Sequence, residues 1–226
     1  MYELMLNSEA IDAHADRDTR QRLLEAAMGA FAEHGFELIS LRELTRAAGV
    51  NLAAVGYHFG SKEGLIDSLI QSCLDPIMDR RLELLDELES QSGNKEGLSI
   101  EAILKAFMLP VIERATSDAP LCGEAFLKLM GRCMAEPGYR MPETALPKTE
   151  VFAARFTGAV VRTLPHLPEQ QVLWRLHFTF GVLAQTLLHH DSLHRISGGR
   201  SGRPGHDELL DYVVDFCSAG FRAPVS

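Results

Sequence analysis

Cysteine is scarce: four residues, at positions 73, 122, 133 and 217, are scattered through 226 with no C-x-x-C spacing. That pattern excludes a disulfide framework and a thiolate zinc site, and reduced thiols packed within helices are expected. Long apolar runs are missing too. Nothing approaches the roughly 20 residues of a membrane-spanning helix, so no membrane partner is expected. The opening segment MYELMLNSEAIDAHADRD is acidic and lacks the charged-then-apolar order of a secretory signal, so a cytoplasmic location is expected. Catalytic signatures are absent. There is no G-x-S-x-G, no phosphate-binding P-loop, no G-x-G-x-x-G after a strand and no H-E-x-x-H, so neither an enzyme nor a cofactor is expected. Positive charge is not in excess either. A net charge of −9 excludes a protein that coats nucleic acid indiscriminately.

What is present is helical. The 46% hydrophobic content supports a sizeable core, and the apolar positions recur at helical spacing with no strand alternation and no internal repeat. The most informative stretch is Leu41 to Leu65, LRELTRAAGVNLAAVGYHFGSKEGL. A short amphipathic segment runs into Ala48-Gly49-Val50, and a second short segment follows from Asn51. Two short helices joined by a turn with glycine at its corner have the form of a helix-turn-helix. Gly49 suits a turn position needing positive φ, and Asn51 suits the N-cap of the second helix. On geometry alone, an ordinary αα-corner satisfies the same pattern. From Arg17 to Lys62 there are six Lys/Arg and five Asp/Glu. DNA binding here would therefore depend on a few placed cations and backbone N–H groups.

The identities and order of these residues go further. Thr19-Arg20, Leu23-Leu24, Ala26-Ala27, Phe31, Gly35-Phe36, Ser40, Leu44, Ala47-Ala48-Gly49-Val50, Tyr57, His58, Phe59, Lys62, Glu63 and Leu65 together resemble the DNA-binding domain of the TetR family of transcriptional regulators. The resemblance implies a third helix, about Leu52 to Tyr57, that enters the major groove, with Asn51 to Val55 supplying its reading surface. It also places Thr19, Arg20, Tyr57, His58 and Lys62 near DNA, the last three at family positions that bind phosphates. Gly56 departs from the family pattern, which carries a groove-reaching side chain there. Base readout therefore falls on Leu52, Ala53 and Ala54 and on the outward-facing Arg42, Thr45 and Arg46.

In chain order, residues 1–17 read as a flexible acidic arm, 18–64 as the helix-turn-helix head and 65–226 as a larger helical domain. The first helix is capped near Asp18, exposes Arg20 and Arg22, and ends at Gly35. Ser40 caps the second and Ser61 the fourth, in which Pro76 predicts a kink or short break. A loop is expected at Ser90 to Gly97. Further helices follow at Ser99–Ser117, divided or kinked by Pro110, and at Leu121–Ala135, before a break at Glu136-Pro137-Gly138. Three more are expected at Glu143–Leu164, Glu169–His190 and Asp207–Ala219, with a loop at Ser197–Gly205. The expected architecture is all-α.

The 169–190 helix is apolar nearly all round and requires cover on two sides, by a partner subunit or a ligand cavity. Phe107, Met108, Phe126, Met130, Phe152, Phe156, Trp174 and Phe178 span four helices and are candidates for a pocket as well as core. Arg155 and His177 are candidate polar groups steering a ligand head. Leu173, Leu176, Phe180, Leu183, Leu187, Leu210, Val213, Val214 and Cys217 are candidate dimer contacts. His189, His190 and His194 lack an acidic or cysteine partner at metal spacing, so a solvated helix end is expected and no metal. The segments NLAAVGYHFGSKEGL, FLKLMGRCMAEPGYR and LPEQQVLWRLHFTFGVLAQTL look like the PsrA-type, fatty-acid-responsive subgroup of the TetR family. That resemblance implies a homodimer on a palindromic operator, released by a small apolar effector such as a fatty acid or acyl-CoA. The competing readings are a helical scaffold protein and a metal- or drug-responsive regulator.

Overall fold

The computed structural model describes residues 2–92, 98–135 and 141–225. Among them every regular element is helical: α1 (Tyr2–His34), α2 (Leu41–Ala48), α3 (Ala53–Phe59), α4 (Lys62–Ser92), α5 (Ile100–Thr116), α6 (Gly123–Ala135), a 3-10 turn (Glu143–Ala145), α7 (Leu146–Thr163), α8 (Glu169–Ile196) and α9 (His206–Arg222). The all-α expectation holds. Among the described residues no helix is long and apolar enough to cross a membrane. The expected 90–97 loop lies outside the described residues from position 93 onward, as does the break at Glu136-Pro137-Gly138.

Several boundaries differ from the sequence reading, each for a local reason. Helix α1 begins at Tyr2, because neither glycine nor proline interrupts the chain before Asp18. Helix α4 passes through Pro76 and α5 through Pro110 without interruption. Flanking turns packed into the core hold each helix together across its missing N–H. Helix α8 does lose helical geometry at His189 (φ −133°, ψ 15°), but resumes to Ile196.

The chain forms two compact units, Met1–Cys73 with Asp118–Pro142 and Leu74–Ser117 with Glu143–Ser226. The compact unit that holds the helix-turn-helix extends past residue 64. It keeps the first turns of α4 and recruits α6, because α6 carries cations that match the C-terminus of α1. Arg132 donates from Nε to the Ala32 carbonyl (2.8 Å) and from Nη2 to the Glu33 carbonyl (2.6 Å). These two carbonyls lie in the last turn of α1 and have no intrahelical donors. Lys128 adds an ion pair to Glu33 at 2.6 Å, which holds the Glu33 carboxyl below the usual carboxylate range. The core of this unit gathers Leu23, Leu24, Ala27, Met28 and Phe31 of α1 with Leu44, Ala48, Val55, Leu65 and Leu69. Each fully buried leucine or phenylalanine among them is worth about 1.5–3 kcal/mol.

In the second unit, α5 packs on α9 and α7, and α8 on α7 and α9. Ile103, Leu104 and Met108 are buried with Val160, Leu183, Val214 and Phe221. Arg175 of α8 caps α9, its Nη1 donating to the carbonyls of Gly220 (2.7 Å), Phe221 (2.8 Å) and Ala223 (3.0 Å). At the surface, Lys105 pairs with Asp211 at 2.7 Å and Arg222 with Glu101.

Candidate functional site

The α2–α3 corner is built by three local devices. Ser40 and Glu43 form a full capping box at the start of α2, with the Ser40 N–H bonded to Glu43 Oε2 at 2.8 Å and the Glu43 N–H to Ser40 Oγ at 3.3 Å. The signature S-x-x-E was visible in the sequence, where only the serine was recognised. At the other end, Gly49 adopts φ 66°, ψ 36°, and its N–H returns to Arg46 and Thr45. Arg22 of α1 then donates from Nη2 to the Ala48 and Gly49 carbonyls, placing a cation on the negative end of the α2 dipole. Arg22 is exposed, as expected, and also serves as a clamp.

Helix α3 follows, with Asn51 Oδ1 accepting the Ala54 N–H at 2.9 Å as its cap. Its inner face is fixed: Val55 is buried with Leu23 and Ala48, and Ala54 and Phe59 pack against them. Val55 is therefore core and not part of a reading surface. Leu52, Ala53, Gly56 and Tyr57, spaced i, i+1, i+4, i+5, remain on the outside, and Tyr57 is 78% exposed. Arg42 and Arg46 are also exposed. Arg20 lies over the Phe59 ring, 5.4 Å from its centroid, and Thr19 is half-buried. Lys62 opens α4 with Nζ 3.5 Å from the Glu37 carbonyl.

Two expected contact residues face the wrong way. Thr45 is 5% exposed, and its hydroxyl donates back to the Arg42 carbonyl at 3.2 Å, so it belongs to the core-facing side of α2. His58 is largely buried, with Nε2 3.6 Å from Asp16 on α1. One residue beyond the outward Tyr57, a helix turns its side chain about 100° toward the core. The helical period fixes both positions once Leu44 and Val55 are recognised as inward.

The second unit rearranges the effector and dimer expectations. Phe107, Phe152 and Phe156 do meet, with ring centroids 4.9–5.7 Å apart, and Met108 is buried. Phe126 and Met130 lie on α6, in the other unit. Arg155 pairs with Asp86 and Glu89 of α4 at the surface. Trp174 and Phe178 are 52% and 59% exposed, and His177 is exposed beside Trp174 at 5.9 Å, so none of the three lines an interior cavity. Conversely, Leu176, Leu183, Leu187, Leu210, Val213, Val214 and Cys217 are buried within the chain, and of the expected dimer contacts only Leu173 and Phe180 are exposed. The two apolar rows of α8 were both legible, but which faced inward depends on α5, α7 and α9. Tyr212 and Phe216 of α9 are also exposed, an i, i+4 pair that the sequence reading missed. Both border a groove of about 690 Å³ that runs past Gly181, Gln185 and His189, and Phe216 also borders one of about 590 Å³ that runs past Arg175 and Phe178. His194 is held by the 197–205 loop, its Nδ1 3.0 Å from the Gly202 carbonyl. Among the described residues no group of three His, Cys, Asp or Glu is arranged to hold a metal ion.

Comparison with known proteins fits this arrangement. Residues 23–69 match the bacterial regulatory proteins of the tetR family, and residues 105–220 match the tetracyclin repressor-like C-terminal domain. Among curated relatives, the HTH-type transcriptional repressor KstR2 of Mycobacterium tuberculosis is 33% identical over 87 residues, 37% of this chain and 44% of that protein. The HTH-type transcriptional regulatory protein RaaS of the same species is 51% identical over 51 residues, 23% of this chain and 24% of that one. The chain thus matches less than half the length of these curated relatives. A TetR family regulator from Marinobacter aquaeolei superimposes with a TM-score of 0.61 at 19% identity, covering 92% of this chain and 97% of the other. KstR2 itself superimposes at 0.60 and 16%, covering 89% and 93%. Those two structures share the fold. With both domains matched in order and the second spanning half its length, the chain belongs to the tetR family of bacterial regulatory proteins.

Proposed function

We propose that this chain is a dimeric, sequence-specific transcriptional repressor of the cytoplasm whose hold on DNA is released by a small apolar effector. The observation that carries the reading is the split of α3 into a locked inner face and a free outer face. Val55 and Phe59 fix the helix in the head, and Leu52, Ala53, Gly56 and Tyr57 are left for a partner. In the major groove such small apolar groups read thymine methyls, while Arg42 and Arg46 supply hydrogen bonds to guanine or phosphate. Lys62 and the N-terminus of α4 meet a phosphate, where a cation and unbonded N–H groups act together. Asn51 retains its amide N–H₂ for a base edge, its oxygen being spent on the cap.

The dimer forms through the outer face of α8 and α9, on Trp174, Phe178, Tyr212 and Phe216, with Leu173 and Phe180 at its border. Trp174, Phe178, Tyr212 and Phe216 are each more than half exposed among the described residues, and aromatic anchors of this kind dominate stable interfaces. The effector occupies the second unit and is of acyl type, the effector class of the PsrA-type subgroup that the sequence resembles. Binding better to a dimer whose heads are misplaced, it shifts the population away from the DNA-competent state. Helix α4 carries residues of both units and is one covalent link for that shift.

Selection from random duplexes by the full chain tests this directly. A palindrome should be enriched, its half-sites centred about one helical turn apart, roughly 10 base pairs. Recovery of duplexes without a shared sequence would contradict the proposal.

A further inference from the structure

A buried cation of the second unit has no counter-ion among the described residues. Arg81 of α4 is 2% exposed, and among the described residues no carboxylate pairs with it. Its Nε donates to the Phe107 carbonyl at 2.7 Å, Nη1 approaches Met78 Sδ at 3.9 Å, and Nη2 has no hydrogen-bond partner. The Phe107 and Phe152 rings flank the guanidinium, their centroids 4.3 and 4.9 Å from Cζ, and Phe156 completes the aromatic cluster. A second polar atom without a partner, Thr157 Oγ1, follows Phe156 on α7. Lys105, Lys148, Arg155 and Arg222, at the surface of this unit, each have a carboxylate.

A buried charge with one neutral hydrogen bond and two ring faces is costly. A hydrophobic side chain of similar volume would pack at least as well, so stability alone does not explain the arginine. Burial pulls its pKa down to about 9, so it remains charged at neutral pH. What the surroundings lack is one negative charge presented to the Nη2 edge. We propose that Arg81 receives the acid group of the effector, an apolar monocarboxylate whose hydrocarbon body lies against Phe107, Phe152 and Phe156. This rests on the effector-responsive reading above, and adds to it a charge requirement and a residue. A planar carboxylate matches the guanidinium fork. A dianion would bring a second charge into an apolar cluster with nothing to neutralise it, and a neutral ligand would leave Arg81 as it stands. Because Nη2 is closed to solvent, docking requires the aromatic cluster to open, which moves α7 or α5 against α4. Helix α4 is the helix that also carries Lys62.

Thermal unfolding of the full chain tests the assignment with decanoate, 4-butylbenzoate and 5β-cholanate, each beside its methyl ester. At least one acid should raise the Tm while its ester does not, and Arg81→Met should weaken that acid by at least about tenfold, with Arg81→Lys retaining part of the affinity. No response to any acid, an equal response to acid and ester, or an undiminished response in Arg81→Met would each overturn the assignment. Should Arg81→Met fail to fold, the acid–ester comparison on the unmodified chain decides. Binding to the selected duplex is measured separately without ligand. DNA binding with no acid response refutes the role of Arg81 alone, and acid binding without DNA recognition refutes the regulator reading alone.

Discussion

Substituting alanine for Gly49 should damage the helix-turn-helix corner through two separable effects. The first is backbone strain: at φ 66° a Cβ meets the following carbonyl, which costs about 1–2 kcal/mol. The second is a collision, because that Cβ would stand 2.6 Å from Nη2 of Arg22 and must displace the guanidinium. Displacement breaks hydrogen bonds to the Ala48 and Gly49 carbonyls. Charge-assisted bonds of this kind contribute about 1.5 kcal/mol at the low end of their range, appropriate for a partly exposed arginine. Gly49→Ala should therefore cost about 3 kcal/mol, and Arg22→Ala about 1.5 kcal/mol. In the double variant the collision is gone and only the strain is added, so the pair should cost about 1–1.5 kcal/mol less than the sum of the single costs. Urea denaturation followed by circular dichroism measures all three variants. Fluorescence of Trp174, the chain's one tryptophan and a residue of the other unit, provides an internal reference. Additivity within about 0.5 kcal/mol would refute the clamp.

Three further outcomes follow from neighbouring features. Gly56→Ala should stabilise the head by about 0.5–1 kcal/mol, since a Cβ there meets nothing within 4 Å and removes a flexible residue from mid-helix; a lower denaturation midpoint would count against the placement of α3. Ser40→Ala should cost about 1 kcal/mol by removing the α2 capping box. Bonds from the Ser40 N–H and hydroxyl hold the Glu43 carboxyl below the usual carboxylate range, so its contribution is full above that range and lost as pH falls through the lowered pKa. The gap between wild type and Ser40→Ala should accordingly narrow in acid as the hydroxyl's bond to the Glu43 carboxylate is lost, and a gap independent of pH would exclude that bond. Phe178→Glu and Phe216→Glu should each convert the dimer to monomer in sedimentation velocity without lowering helicity, whereas unchanged sedimentation would place the interface elsewhere.

The helical period made most of the elements legible, and the glycine corner with its Asn51 cap was readable residue by residue. What escaped depends on contacts distant in sequence. Arg22 and Arg132 are unremarkable along the chain, yet each finds helix-terminal carbonyls 26 to 100 positions away. Composition marked α8 as apolar on two sides, but only its neighbours decide that Leu183 faces inward and Phe178 outward. Arg81 sits in a run of alternating charges, MDRRLELLDELE, where nothing distinguishes it from the solvated Arg80. Its burial is a property of Phe107 and Phe152, which arrive from two other helices.

The central claim is that the outer face of α3 reads DNA, and the most direct measurement is the affinity of Ala53→Glu for the selected palindrome. Ala53 is exposed, so a glutamate there leaves the head folded, with an unchanged melting curve as the control. Placed against base edges and phosphates, the added negative charge should abolish specific binding, leaving only the salt-sensitive background roughly a thousandfold weaker or more. Affinity equal to that of the unmodified chain would contradict the account.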